Sequence, residues 1–156
     1  MEKIEFEPLK KKHKKRFLKL INDSLVLKYI TSYENPYLPE HFDKFIKRIY
    51  SHKKPVEFTF AINFRKKFVG IIEIFKIKKR KAEIGFWIGS HYHNKGIGTK
   101  AINFIKKYAS SLNISELYAD TINGNKGAIK ILERNGFSKH KKISNISSIY
   151  RCKLLL

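Results

Sequence analysis

Apolar and polar residues alternate with a period of two in several stretches of this chain and recur in steps of three and four in others. The switch between the two rhythms lays out its elements. Val56, Phe58, Phe60, Ile62 and Phe64 alternate with Glu57, Thr59, Ala61, Asn63 and Arg65, the signature of a strand whose two faces see different surroundings. Lys66 and Lys67 turn the chain into a second strand over Phe68–Ile77, making a hairpin, and the KKRK turn at Lys78–Lys81 leads to a third over Glu83–Gly89. Earlier in the chain, Ile4 and Phe6 alternate with Glu5 and Glu7 in a strand closed by Pro8. Lys11–Asn22 reads as a helix with Phe17, Leu18 and Ile21 on its apolar side, and Leu25 and Leu27 carry on toward Tyr29 and Ile30. After the loop TSYENPYLPE, Phe42, Phe45, Ile46, Ile49 and Tyr50 mark a second helix, with Pro39 and Glu40 suited to its first turn. Leu117, Ala119 and Thr121 mark a further strand. Asn125 caps a helix that buries Ala128, Ile131 and Leu132 and stops at Asn135 and Gly136. Phe137–Ile143 and Ile146–Leu155 close the chain as a last hairpin.

The stretch Ala82–Ala109 joins both rhythms. Ile84, Phe86 and Ile88 alternate with Glu83, Gly85, Trp87 and Gly89, and from Ile97 the apolar residues fall at Ala101, Phe104, Ile105 and Tyr108. A helix therefore begins near Asn94 or Lys95, and its start holds Gly96 and Gly98. Main-chain N–H groups at such a start, at the positive end of the helix dipole, bind anions, and glycine leaves them open to close approach. The same residues also fit a tight turn with Asn94 as an ordinary cap.

Composition bounds the rest. The 156 residues fit a single domain, 1–156, with 42% hydrophobic and 13% aromatic residues and no linker, repeat or low-complexity run. No apolar run approaches the ~18 residues that span a bilayer, and MEKIEFEPLKKKHKKRF lacks the apolar centre of a signal peptide, so a cytoplasmic protein without a membrane partner is expected. Cys152 is the only cysteine, which excludes an internal disulfide and a thiolate metal cluster. The net charge is +21. One reading is attraction to RNA, ribosomes or other polyanions. The other is compositional bias, since lysines lie on nearly every expected solvent face and the run Lys10–Arg16 lacks the interleaved aromatics of a strand-binding platform.

The order of elements and two motifs carry a resemblance. His93-Asn94-Lys95-Gly96-Ile97-Gly98 resembles the cofactor motif of the GNAT superfamily of acetyl-CoA-dependent N-acetyltransferases, in which Arg or Gln, two residues, Gly, one residue and Gly or Ala follow one another. Asn125-Lys126-Gly127-Ala128-Ile129-Lys130-Ile131-Leu132-Glu133-Arg134-Asn135-Gly136-Phe137 resembles that family's Asn-x-x-Ser/Ala-Ile-x-x-Leu-x-x-x-Gly-Phe segment. The likeness covers essentially the whole chain, and the AEIGFWIG strand and NPYLPEHFDKFI region resemble the branch of ribosomal-protein N-terminal (alanine) acetyltransferases. It implies an α/β (α+β) fold: one GNAT-like domain with a mostly antiparallel mixed sheet of about seven strands flanked by about four helices. It further implies that acetyl-CoA is the co-substrate and that no metal is needed. The pantetheine arm would pair with the main chain of Phe86, Trp87 and Ile88, and the pyrophosphate would lie on Asn94, Lys95, Gly96, Ile97, Gly98 and Thr99, with His93 and Asn125 also at the cofactor.

The departures matter too. His93 stands where Arg or Gln is usual, but the cradle works through main-chain groups and Asn94 tolerates left-handed geometry. Leu132 occupies the position where many members carry a tyrosine that protonates the departing thiolate. A thiol of pKa ~8.5 can leave without an acid. An α-amino group at ~7.7 to 8 needs only a modest base, whereas a lysine amine at ~10.4 is mostly charged. Glu83, at the start of the strand beside the reacting centre, is the first candidate base and His91, through a water, the second; Glu83 also fits an ordinary surface strand residue. The acceptor expected is an amine, in the first place a protein or peptide N-terminus, with polyamine or aminoglycoside acetylation and a noncatalytic CoA- or RNA-binding module as alternatives. Monomer and homodimer are both open. Gly96-Ile97-Gly98-Thr99-Lys100-Ala101 also satisfies the dinucleotide pattern G-x-G-x-x-G/A with Asp120 as a ribose acid, but the preceding hairpins and the short remaining chain oppose a Rossmann domain. The pair His91 and His93 lacks the third ligand of a catalytic zinc site.

Overall fold

Among the described residues the alternating segments form seven strands: β1 (Ile4–Pro8), β2 (Phe58–Phe64), β3 (Lys67–Lys78), β4 (Lys81–Ile88), β5 (Glu116–Ile122), β6 (Ser138–Ser144) and β7 (Ile149–Leu155). The structure is a computed structural model and describes residues 2–54, 56–144 and 149–156. The strands make one sheet in the order β1-β2-β3-β4-β5-β7-β6. Every neighbouring pair is antiparallel except β4 and β5, which are parallel. The expected fold class, a mostly antiparallel mixed sheet with flanking helices, is what the chain adopts. β2 starts two residues later than its alternation predicts, because Val56 remains 45% exposed and has no face to bury. The expected start of the last strand at Ile146 lies outside the described residues.

Among the described residues five helices flank the sheet: α1 (Lys14–Ile21), α2 (Ser24–Leu27), α3 (Pro39–Ile49), α4 (Ile97–Ser111) and α5 (Lys126–Arg134). The first is shorter than its apolar spacing predicts. Lys11–His13 winds as a tighter 3-10 turn, held by the Lys10 N–H donating to His13 Nδ1 at 3.0 Å while the other ring nitrogen sits 3.1 Å from Glu7. The short α2, where the sequence suggested only a continuing apolar run, starts because Asp23 accepts from the Leu25 N–H at 2.9 Å. Pro39 opens α3 as expected.

The helices divide between two faces, and each face has its own core. Under α4 and α5 lie Ile62, Ile72, Ile74, Ile84, Ile97, Ile102, Ile105 and Leu132. Under α1, α2 and α3 lie Phe17, Tyr37, Phe42, Phe45, Phe68, Ile71 and Trp87. Phe17 is fully buried, with its ring 4.9 Å from that of Phe42 and 5.0 Å from that of Trp87, both in edge-on contact.

Candidate functional site

β4 is paired along its whole length on one edge and only in part on the other. β3 follows it from Glu83 to Ile88, but β5 pairs only with Lys81, Ala82, Glu83 and Ile84, so the two parallel strands part beyond Ile84. The Gly89 N–H donates to the Val69 carbonyl at 2.8 Å, on the β3 side. Main-chain groups of successive strand residues point to opposite edges, so Gly85 and Trp87 also face β3. Phe86 and Ile88 then turn their N–H and C=O to the open edge. Of the three residues expected to meet the pantetheine arm, Trp87 spends its main chain on β3.

The open edge borders a cleft of about 690 Å³ lined by Phe86, Trp87, Ile88, His93, Asn94, Gly96, Ile97, Gly98, Thr99 and Asn125, with Lys126, Gly127, Ala128, Lys130 and Ile131 of α5 on one side and Val26, Tyr29 and Ile30 on the other. Ten of the eleven expected cofactor residues thus share one cavity wall. Lys95 is exposed and does not line it. Asn94 (φ 60°) and Gly96 (φ 72°) both adopt left-handed backbone, which cannot continue a right-handed helix, and so α4 starts at Ile97, later than the apolar spacing predicts. The first intrahelical bond is from the Lys100 N–H to the Gly96 carbonyl at 3.2 Å, leaving the N–H groups of Ile97, Gly98 and Thr99 free at the positive end of a 15-residue helix. An anion fits there.

The two glycines serve different needs. A Cβ on Gly96 would meet nothing within 4 Å, so its left-handed φ is what demands glycine. A Cβ on Gly98 would come within 2.6 Å of Ile131 Cδ1, so Gly98 lets α5 close on α4 as well as leaving the anion site open. The His93 ring reaches back to the strand, its Nε2 2.8 Å from the Ile88 carbonyl, and so occupies one acceptor of the open edge. Asn125 caps α5 by accepting from the Ala128 N–H at 3.1 Å.

The two expected bases lie elsewhere. Glu83 sits where β4 still pairs with β5, opposite Tyr118, and is not beside the open edge. Its carboxylate lies 3.0 Å from Arg151 and 3.0 Å from Lys76, in a shallow depression bounded by Lys81 and Tyr118 and separate from the cleft. His91 is exposed, its ring 3.4 Å from Ser90, and does not line the cleft either. Asp120, the acid of the dinucleotide alternative, is bound by Arg151 at 2.8 Å, and the sheet order is not that of a doubly wound domain. Leu132 is buried in the aliphatic core and brings no hydroxyl to the cleft. Among the described residues no cluster of His, Cys, Asp or Glu could hold a metal, and no helix is long and apolar enough to cross a membrane.

Sequence reasoning missed the far wall of the cleft. Tyr29 and Ile30 read as the end of an apolar run after the first helix, but Asp23, which caps α2 and bonds the Ser90 hydroxyl, ties that segment, Val26 included, to the loop after β4. Ser90 and the Leu25 N–H, with lesser help from His91 and His93, hold the Asp23 carboxyl below its usual range. Glu73 was missed as well, although it is the single acid in the apolar run Phe68–Phe75. Burial lifts its carboxyl to about 7; Arg48 and Thr59 act against this, and Glu57 adds to it.

The family model described as an acetyltransferase (GNAT) domain matches residues 3–138. Among solved structures, the chain is similar to a domain from Methanocaldococcus jannaschii (19% identity, TM-score 0.85, all of both chains covered). It is similar to the ribosomal-protein-S5-alanine acetyltransferase of Vibrio fischeri (19% identity, TM-score 0.84, 99% of this chain and 94% of that one). It is also similar to the spermidine N-acetyltransferase of Vibrio cholerae in complex with CoA and spermine (20% identity, TM-score 0.83, 97% and 95%). Among curated proteins none matches the sequence closely enough to count as a relative.

Proposed function

The chain belongs to the acetyltransferase (GNAT) family, with acetyl-CoA as co-substrate, and from that premise we propose that it acetylates the α-amino group of a protein or peptide. The observation that carries the reading is the meeting, in one cleft, of the open β4 edge at Phe86 and Ile88 with the left-handed turn and free N–H groups at the start of α4. The N–H groups of Ile97, Gly98 and Thr99 would hold the pyrophosphate, and the open edge would hold the pantetheine amides. Bound there, acetyl-CoA supplies a thioester acetyl group. A main-chain N–H of the open edge is suited to the oxyanion that develops when an amine attacks.

The acceptor assignment rests on charge and on amine chemistry. A surface at +21 repels multiply cationic amines and attracts a polypeptide that is acidic or bound to RNA, the ribosome included. An α-amino group, with pKa ~7.7 to 8, is also nearer to its neutral, nucleophilic form at pH 7 than a lysine amine at ~10.4. The test is a mass-shift screen with acetyl-CoA against N-terminal peptides, lysine peptides, polyamines and aminoglycosides. We expect +acetyl products at peptide N-termini, with turnover falling as salt rises. Acetylation of spermidine and of no peptide would transfer the assignment to small amines.

A further inference from the structure

The face of β4 opposite the aliphatic core carries a carboxyl without an ionic partner. On that face Glu73 of β3 stands directly across from Gly85 of β4. Gly85 has no side chain, and a Cβ built on it would lie 3.0 Å from Glu73 Oε1 and 3.4 Å from the Phe75 ring. The carboxyl therefore overhangs β4 one residue before Phe86, the first residue of the open edge. Arg48 of α3, the cation that acts on it most, is already held by Glu57 at 3.1 and 3.2 Å, and no salt bridge to Glu73 occurs among the described residues. Around it, among the described residues, lie three buried polar atoms that complete no hydrogen bond: the Thr59 hydroxyl, and the Tyr33 hydroxyl and Trp87 indole N–H, which approach each other. The Thr59 hydroxyl approaches the carboxyl without completing a bond. Trp87 lines the cleft whereas Glu73, Gly85, Tyr33 and Thr59 do not, so the polar cluster lies behind Trp87 and meets the cleft at that side chain.

Buried polar groups are ordinarily paired, and three unpaired ones beside an uncompensated acid are costly unless a ligand engages them. A carboxylate that overhangs Gly85, next to the open edge, and has Tyr33, Tyr37 and Trp87 around it is a seat for an ammonium group, through charge and through the aromatic faces. Resting on the acetyltransferase reading above, we propose that the acceptor amine enters over Gly85 and gives its proton to Glu73. The neutral nitrogen then bonds to the acetyl carbon, the carbon–sulfur bond breaks with its electron pair on sulfur, and the second nitrogen proton ends on that sulfur. Glu73 returns its own proton to solvent. This gives the base role, expected of Glu83, to a carboxyl that no lysine or arginine claims. The groups facing Glu73 are Arg48 of α3, Glu57 just before β2, Thr59 of β2, and Tyr33 and Tyr37 of the loop before α3, and burial outweighs them in setting its proton affinity.

The test compares wild type, Glu73→Gln and Gly85→Ala in steady-state acetylation of the peptide found best in the screen, from pH 5.5 to 9. Glu73→Gln should lower kcat by about 10²-fold or more and remove the limb near pH 7, while the thermal shift produced by CoA is kept. Gly85→Ala crowds the carboxyl without touching the helix-start anion site, and should raise the acceptor KM more than it lowers kcat. A purely structural Glu73 would change Tm and leave the pH limb in place. The proposal is overturned if Glu73→Gln keeps the limb and turns over within threefold of wild type. Should Glu73→Gln lose its response to CoA through misfolding, an unchanged acceptor KM in Gly85→Ala overturns it instead. If the wild type acetylates spermidine and no peptide, the α-amine reading fails alone, and the same variants are assayed on spermidine.

Discussion

The two faces of the sheet are packed with different residues and offer different groups to a ligand. The face under α4 and α5 is rich in isoleucine, with Phe60, Phe64 and Phe137 among its buried residues, and the groups proposed to hold CoA there are main-chain N–H groups at a helix start and a strand edge. The face under α1, α2 and α3 is aromatic and admits polar atoms to its interior: Thr59, Trp87, Tyr33 and the carboxyl of Glu73. A pyrophosphate needs only positive dipoles in fixed directions, which backbone geometry supplies whatever the side chains are. An amine must be recognised and deprotonated, and no backbone group can take its proton. On the proposed reading, side-chain chemistry, with its desolvation cost, gathers on the second face.

The largest test of this contrast is Phe17→Ala. Phe17 touches Tyr37, Phe42, Phe45, Phe68 and Trp87, so its loss should cost about 3–5 kcal/mol in urea unfolding and loosen the aromatic face while the start of α4 stays built. If the folded fraction of this variant also lost its affinity for CoA, the two faces would not be separable. On the other face, Gly98→Asp drives a carboxylate against Ile131 and Ile88 and opposes the pyrophosphate. It should abolish the CoA-induced thermal shift and cost at least about 2 kcal/mol, read by calorimetry.

A third test uses pH. Glu73 has its folded-state pKa raised from 4.5 to about 7, so between those values the folded form holds a proton that the unfolded form has lost. That term falls away as pH rises through the window. Glu73→Gln should consequently leave Tm near pH 4.5 almost unchanged and raise it at pH 8, stabilising the chain while impairing turnover. A lower Tm at pH 8 would show that the ionised carboxyl is well paired. The smallest effect belongs to Glu83→Gln. Arg151 keeps Asp120, and the Lys76 partner is 65% exposed, so we expect a loss of about 1 kcal/mol or less and turnover changed by no more than about twofold. A large loss of turnover with retained CoA affinity would return the base role to Glu83.

The legible part of this protein was the part written in periodicity and in backbone chemistry. The alternation from Phe58 to Phe64 and from Ile84 to Ile88, the steps of three and four after Ile97, and Pro39 and Asn125 at helix starts each follow from local rules, because strands and helices impose fixed side-chain periods and caps satisfy free N–H groups within a few residues. Gly96 was legible for the same reason, since its left-handed turn is a local property. Gly98 was read only in part. Its contact with Ile131 joins α4 to α5, two helices separated in sequence by β5. Which of two carboxyls is proposed to take the amine's proton rests on tertiary structure alone. Glu83 and Glu73 are both single acids in apolar strands, and nothing in either neighbourhood tells them apart. Register does so, because it places Arg151 of β7 and Lys76 against Glu83, whereas across from Glu73 it places Gly85, with Arg48 already held by Glu57. Long-range pairing sets the charge around a carboxyl, and that charge decides whether it can accept a proton.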